Sequence, residues 1–232
     1  MKLKAKLCGL TRPEDVVLAI EAGFSSLGLI HYNPSPRHLE LKELKALRKL
    51  IAKQAQCFLV VVDQPLESLK SLIDQIQPNV IQLHGKEDIK YLTEIRKSMP
   101  NAKIVKAIRV ADQAIDISFT EIESLVDGFL FDTYAKGQPG GTGESFNWEL
   151  IQLSNISKPY ILSGGLEKSS IPKIIDSAKF WNKLPVGLDF NSKLEISPGI
   201  KCSKAIYQMI HEMQRFDVLQ SGDMFSHEEN HV

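Results

Sequence analysis

Short runs of Val, Ile, Leu and Phe alternate with stretches in which apolar residues recur every three or four positions, and this alternation continues almost to the end of the chain. The short runs fit strands buried on both faces, and the period near 3.6 fits helices that cover a sheet. Strands are expected at Lys4–Cys8, Phe24–Tyr32, Gln56–Val62, Asn79–His84, Lys103–Arg109, Asp127–Asp132, Pro159–Ser163 and Val186–Phe190. Between them, Leu41, Leu44, Leu47, Leu50 and Ile51 share one helical face. Leu66, Leu69, Leu72, Ile73 and Ile76 share another, and Ile89, Leu92 and Ile95 a third. Thr11 followed by Pro13, Glu14 and Asp15 reads as an N-cap and an acidic first turn, so a helix should open directly after the first strand. A fifth helix is expected between Asp112 and Leu125, where the periodicity is poor.

Eight strand–helix units predict an α/β protein with a single (β/α)8 TIM barrel over residues 1–216, a fold that usually takes ~200 to 250 residues. From Asp217 to Val232 the chain turns polar and aperiodic, and a flexible C-terminal tail is expected. An open doubly wound sheet is the main rival. Its GxGxxG fingerprint is missing where Cys8, Gly9, Leu10, Thr11 and Arg12 follow the first strand, and no P-loop motif occurs, so no nucleotide cofactor is expected.

Composition narrows the partners. The 232 residues carry 28 Lys plus Arg against 28 Asp plus Glu, interleaved along the chain. Phosphate-backbone binding needs clustered cations, so neither nucleic acid nor an anionic membrane surface is an expected partner. A hydrophobic share of 43% with 24% charged residues fits a soluble globular protein. The longest apolar run, Phe58 to Val62, is far shorter than the ~20 residues that cross a bilayer. Lys2, Lys4, Lys6 and Arg12 break up any signal-peptide core, and a cytoplasmic location is expected. Cys8, Cys57 and Cys202 show no CxxC or Cys/His spacing, so neither a disulfide framework nor a metal site is supported.

In such a barrel the active-site groups come from strand C-termini and the loops after them. Those positions hold Cys8; His31 and the loop Asn33 to Arg37; Asp63; Gln82 and His84; Arg109; Asp132; Ser163, Gly164 and Gly165; and Asp189 to Glu195. Each has a bland reading. Cys8 is either a small buried hydrophobe or, beside cations and a helix N-terminus, a thiol whose pKa falls from ~8.5 so that it serves as a base. Asp132 either caps a loop or, held against apolar neighbours such as Phe131, becomes a proton donor. Arg37 in its proline-braced loop is a solvated cation or a fork for a carboxylate or phosphate. His84 is a packed strand-end histidine or a ligand-facing one. Gly164 and Gly165 make a tight turn, or they free backbone amides at a helix start for a phosphate. The loop Thr133–Phe146, with Gly137, Gly140, Gly141 and Gly143, exceeds the ~2 to 6 residues usual for such connections and reads as a lid or binding loop.

Taken together, these motifs resemble the phosphoribosylanthranilate isomerase family, a tryptophan-pathway family of the ribulose-phosphate-binding barrel group. The match runs through Cys8 to Asp15, Asn33 to Arg37, Gln82 to Gly85 and Lys106 to Val110. It continues through Phe131 to Thr133, Gly137 to Gly143, Phe146 to Trp148, Leu162 to Leu166 and Pro198 to Lys201. The resemblance implies a cofactor-independent Amadori rearrangement of N-(5-phosphoribosyl)anthranilate, with Cys8 as general base and Asp132 as general acid. It implies that Arg37 meets the anthranilate carboxylate. It also implies that Gln82, His84, Gly141 and Gly143 contact substrate, and that Gly164, Gly165, Asn191 and Ser192 cradle its phosphate. The partner implied is a small phosphorylated anthranilate sugar, and a homodimer is among the assemblies the family adopts. Where relatives run Asp-Val-Ser-Ser-Gly-Val-Glu, this chain has Asp189-Phe190-Asn191-Ser192-Lys193-Leu194-Glu195, so Lys193 stands for a glycine and either weakens the cradle or adds a cation. Another sugar-phosphate isomerase on the same barrel, and a phosphate-binding barrel without catalysis, are the alternatives.

Overall fold

A computed structural model describes residues 1–110, 119–132 and 156–225. Eight parallel strands close into a barrel: β1 Lys4–Leu7, β2 Ser26–His31, β3 Gln56–Val61, β4 Val80–Leu83, β5 Ile104–Arg109, β6 Gly128–Asp132, β7 Tyr160–Ser163 and β8 Gly187–Phe190. Closure pairs β1 with β8 in a register that sets Lys6 opposite Asp189. The helices described are α1 Pro13–Ala22, α2 Leu41–Ile51, α3 Leu66–Ile76, α4 Ile89–Ser98, α5 Phe119–Glu123, α6 Ser170–Ala178 and α7 Ser203–Arg215. Beyond β8 a one-turn 3-10 helix, Ser192–Leu194, leads into a small hairpin of β9 Glu195–Ser197 and β10 Ile200–Lys201. The α5 segment falls inside the span expected for a fifth helix, whose earlier part lies outside the described residues.

Strand alternation sorts the side chains into two layers. Ala5 and Leu7 of β1, Leu27 and Leu29 of β2 and Phe129 and Phe131 of β6 point outward and pack with the apolar faces of the helices, including Leu44, Leu47 and Ile51 of α2. Phe58, Val80, Val105, Leu130 and Ile161 point inward and form a separate apolar cluster. The capping of α1 differs from expectation. Its N-cap is Arg12, whose side chain forms no cap, because the Thr11 hydroxyl is spent on the Gly199 carbonyl at 2.6 Å.

The tail also differs. The segment expected to be loose is exposed at Asp217 and Gln220–Asp223 but anchored at Val218, Met224 and Phe225, the last two in the barrel's N-terminal mouth, and residues 226–232 lie outside the described ones. Leu3 N–H donates to the Val218 carbonyl, and Leu3 bridges Leu219. Met224 and Phe225 are buried against the inward cluster, and Met224 N–H donates to Gln56 Oε1 at 2.8 Å. The Lys4 and Lys103 ammonium groups donate to the carbonyls of Asp223 and Phe225. Gly128 supplies the recess: a Cβ there would collide with the Phe225 ring and lie 2.7 Å from the Pro159 carbonyl oxygen. Two apolar side chains without helical or strand period carry too little pattern to predict such an anchor, yet each contributes roughly 1.5–3 kcal/mol by leaving water.

Candidate active site

The opposite, C-terminal mouth holds a cavity of about 490 Å³. Cys8, Arg37, Gln82, His84, Asp132, Gly164, Gly165, Asn191 and Ser192 all line it, carried there by the ends of β1, β4 and β6 and the turns after β2, β7 and β8. Gly141 and Gly143, with the rest of the glycine-rich loop, lie outside the described residues. A second cavity of about 420 Å³, around Glu167, Pro172 and Glu212, gathers none of the predicted site residues.

Cys8 follows β1 and is only 5% exposed. Its N–H donates to the Phe190 carbonyl at 2.8 Å, extending the β1–β8 ladder by one residue and fixing where the thiol points. The expected lowering of its pKa is not what this environment produces: burial pushes the thiol up, and Asp189 adds to the rise, against opposing cations at Lys6 and Lys201. A thiol removed from water must find its counter-charge within the protein.

Asp132 ends β6. It does not rest against Phe131, whose ring points to the other side of the strand, where it stacks with Phe129 and meets Tyr160 edge to face. Its carboxyl meets His84 instead, with His84 Nε2 3.3 Å from Oδ2. On the far side of that ring, Gln82 Nε2 lies 3.0 Å from His84 Nδ1. With the amide as donor, His84 carries its proton on Nε2 and donates it toward Asp132. The packed-histidine reading of His84 therefore gives way to a bridge between two cavity residues. Gln82 Oε1 is buried and has no hydrogen-bond partner among the described residues.

Arg37 is committed more fully than a free carboxylate fork would be. Its Nε donates to Glu195 Oε1 at 2.8 Å and its Nη2 to Oε2. Glu195 also accepts from Lys201 Nζ at 2.9 Å and from the Gly199 N–H. Burial alone would raise the Glu195 carboxyl, but Arg37 and Lys201 outweigh it and hold it below the usual range. Lys201 reaches Asn191 Oδ1 as well, at 2.9 Å. Gly9, at φ +71°, lets Arg37 and Asn191 meet, since a Cβ there would lie 2.7 Å from Asn191 Oδ1 and closer still to Arg37.

The turn after β7 places Gly164 and Gly165 at positive φ on the cavity wall. Helix α6 starts only at Ser170, so these glycines present the amides of a turn and not those of a helix's first residues, as had been expected. Ser192 and Lys193 begin the 3-10 turn beside them, both exposed.

Two strand-end candidates are structural. His31 Nδ1 lies 2.9 Å from the Leu39 carbonyl, and Asp63 accepts from the Lys86 N–H at 2.6 Å within a tight turn. Conversely, Lys6, Asp189, Glu195 and Lys201 shape the site electrostatically; of these the sequence marks Asp189 and Glu195 only as strand-end positions without a role, and Lys6 and Lys201 not as site residues. For Lys6 the only signal was a charge on the same strand face as Cys8, two residues earlier. No cluster of three or more His, Cys, Asp or Glu placed to hold a metal occurs among the described residues.

A closed parallel barrel with a thiol, a histidine-bound carboxylate and a glycine turn around one mouth has the layout of a barrel enzyme acting on a small polar substrate. Residues 5–212 match the family model described as N-(5'-phosphoribosyl)anthranilate (PRA) isomerase. A curated isomerase of that name from Petrotoga mobilis is 31% identical over 216 residues, which cover 93% of this chain and 99% of the relative. The crystal structure of phosphoribosyl anthranilate isomerase from Thermotoga maritima is similar at a TM-score of 0.75 and 25% identity, covering 92% of this chain and 99% of that one. Another structure of such an isomerase, in complex with reduced 1-(o-carboxyphenylamino)-1-deoxyribulose 5-phosphate, shares the fold at a TM-score of 0.72 and 22% identity, over 92% of this chain and 99% of its own. The chain belongs to the N-(5'-phosphoribosyl)anthranilate isomerase family, a family of tryptophan-biosynthesis enzymes.

Proposed function

We propose that this enzyme converts N-(5-phosphoribosyl)anthranilate into 1-(2-carboxyphenylamino)-1-deoxyribulose 5-phosphate with Cys8 as base and Asp132 as acid. The protonated Asp132 carboxyl gives its proton to the furanose ring oxygen as the bond from that oxygen to C1 breaks, and the anilino nitrogen forms the Schiff base. The Cys8 thiolate then takes the proton from C2, and the enolamine tautomerises to the ketone. His84 keeps the Asp132 carboxyl turned to the cavity. Arg37 offers Nη1, the nitrogen not engaged by Glu195, to the anthranilate carboxylate. Gln82, which lines the cavity and holds His84 Nδ1 through its amide nitrogen, stands beside the sugar. Gly164, Gly165, Asn191 and Ser192, which line the cavity, receive the phosphate at the mouth's rim. The chemistry calls for no cofactor, and a cytoplasmic enzyme suits a biosynthetic route.

The observation that carries this reading is the placing of a thiol from β1 and a carboxyl from β6, from opposite arcs of the barrel, on one cavity. The test follows the fluorescence of phosphoribosylanthranilate made in situ. The unaltered protein should consume it, and Cys8→Ser and Asp132→Asn should each lose about 10²- to 10⁴-fold in kcat, the range for a general acid or base. Full turnover in Cys8→Ser removes the proposed base. Phosphate binding without turnover in the unaltered protein favours a binding barrel over an enzyme.

A further inference from the structure

Inside the barrel, one level below the reacting groups, lies a charged layer that the scheme above leaves unused. Lys6 and Cys8 sit two residues apart at the end of β1 and so project from the same face. The Lys6 side chain is wholly buried, pairs with Asp189 Oδ2 at 2.8 Å and lies over the Phe58 ring at 5.1 Å. Beneath it is the apolar cluster of Phe58, Val80 and Leu130. Above it, on the same strand face, is the Cys8 side chain, whose thiolate form the ammonium favours by its charge. Asp189 lines the cavity with a buried Oδ1 that has no hydrogen-bond partner among the described residues.

A buried ion pair is a poor device for stability, since apolar residues of like volume often serve the fold as well or better. This pair stands where a buried base must carry a negative charge. We propose that Lys6 is a positioning residue for the reaction: its ammonium, anchored by Asp189, is the counter-charge that lets the buried Cys8 exist as a thiolate. The proposal rests on the reading of Cys8 as base. Lys6 keeps all its protons throughout; the proton lost when Cys8 ionises leaves to water in the cavity. Two potential anions thus share one ammonium, and Asp189 competes with Cys8 for it.

The other charges around Cys8 are Lys201 on β10, which favours the thiolate, and Arg37 after β2, which interacts with it across the mouth. Glu195 on β9 ties these two cations together, while His84 and Asp132 act on Asp189 from the β4 and β6 ends. Lys201 and Arg37 therefore already share a carboxylate of their own, and Lys6, two residues before Cys8 on the same strand face, is the cation that favours its thiolate most.

The test is the pH dependence of iodoacetamide alkylation in the full-length protein, read on the Cys8 peptide by mass spectrometry so that Cys57 and Cys202 do not contribute. In Lys6→Met the midpoint for Cys8 should rise by about one to three pH units, the scale of losing a close opposite charge. In Asp189→Asn, which frees Lys6 for the sulfur, it should fall. The acid limb of the kcat/KM profile should move with each. Lys6→Met/Asp189→Asn removes both charges together and decides the matter if the single lysine variant does not fold; its midpoint should also rise. An unchanged Cys8 midpoint in the double variant, or a rise in Asp189→Asn, overturns the proposal. If the midpoints shift as stated while Cys8→Ser retains turnover, the coupling stands and the assignment of the base fails. If Cys8→Ser is inactive and the midpoints do not move, the base stands and Lys6 is structural.

Discussion

The two mouths of this barrel are built from the same eight strands and finished in opposite ways. The N-terminal mouth is filled by the chain itself: Met224 and Phe225 complete an apolar floor, and their backbone is tied by Gln56, Lys4 and Lys103. Among the described residues the C-terminal mouth has no such plug and holds the cavity, with buried acceptors on Gln82 and Asp189 that those residues do not satisfy. Unmet polar groups are costly in a folded protein unless something else completes them. One end is packed with apolar side chains, and the other gathers the polar strand ends around a cavity.

That contrast is open to direct attack. The largest effect should come from ending the chain after Phe216. Losing the burial of Met224 and Phe225 removes about 3–6 kcal/mol. For a protein of this length that lowers Tm by roughly 6–24 °C, measurable by scanning calorimetry. Below the melting range kcat/KM should stay within about twofold, because the floor lies at the far end from the chemistry. A Tm within a degree of the full chain would show that the floor needs no plug.

A middle-sized effect should appear at the upper mouth as pH falls. The Glu195 pKa is depressed in the folded protein, so the stability it supplies is fully present above its unfolded value near ~4.3 and is lost as pH drops through the lower folded value. Glu195→Gln should therefore be less stable than the unaltered protein at pH 7, by about 1–3 kcal/mol as a charge partner of two buried cations is lost. The two denaturation curves should converge toward pH 2–3. Parallel curves across that window would place the carboxylate outside the energetics of the mouth.

The smallest effect concerns Lys193, an exposed cation on the rim beside Gly164 and Gly165. An exposed charge pair is worth about 0.2–1 kcal/mol, so Lys193→Gly should raise KM for the phosphorylated substrate by roughly 1.5- to fivefold and leave kcat alone. An unchanged KM would make it a solvated side chain and weaken the case for phosphate at that rim.

Much of this was legible in the chain. Each strand came within about two residues of its expected span because parallel strands buried on both faces read as plain apolar runs. Cys8, Asp132, Arg37 and the residues after β4 could be found as strand-end positions, since a barrel puts its chemistry there. What could not be read were pairings across the closed ring. Lys6 meets Asp189 across 183 positions, and Arg37 meets Glu195 across 158. No local pattern carries such contacts. The same holds for His84, whose role becomes clear only when β6 brings Asp132 to its Nε2. For Cys8 the sequence offers burial and nearby cations as alternatives, whereas the structure has both at once, and burial outweighs the cations.

Gly128 shows which of two touching parts is free to vary. The Phe225 ring and the Pro159 carbonyl both crowd the place where a side chain would begin, so trimming residue 225 would not make room for alanine at 128. The notch in the sheet is imposed by its own neighbouring strand and exists whether or not anything occupies it. Sequence drift at the base of the barrel should therefore fall on the occupant, with the glycine held constant while different bulky residues take turns filling the hollow.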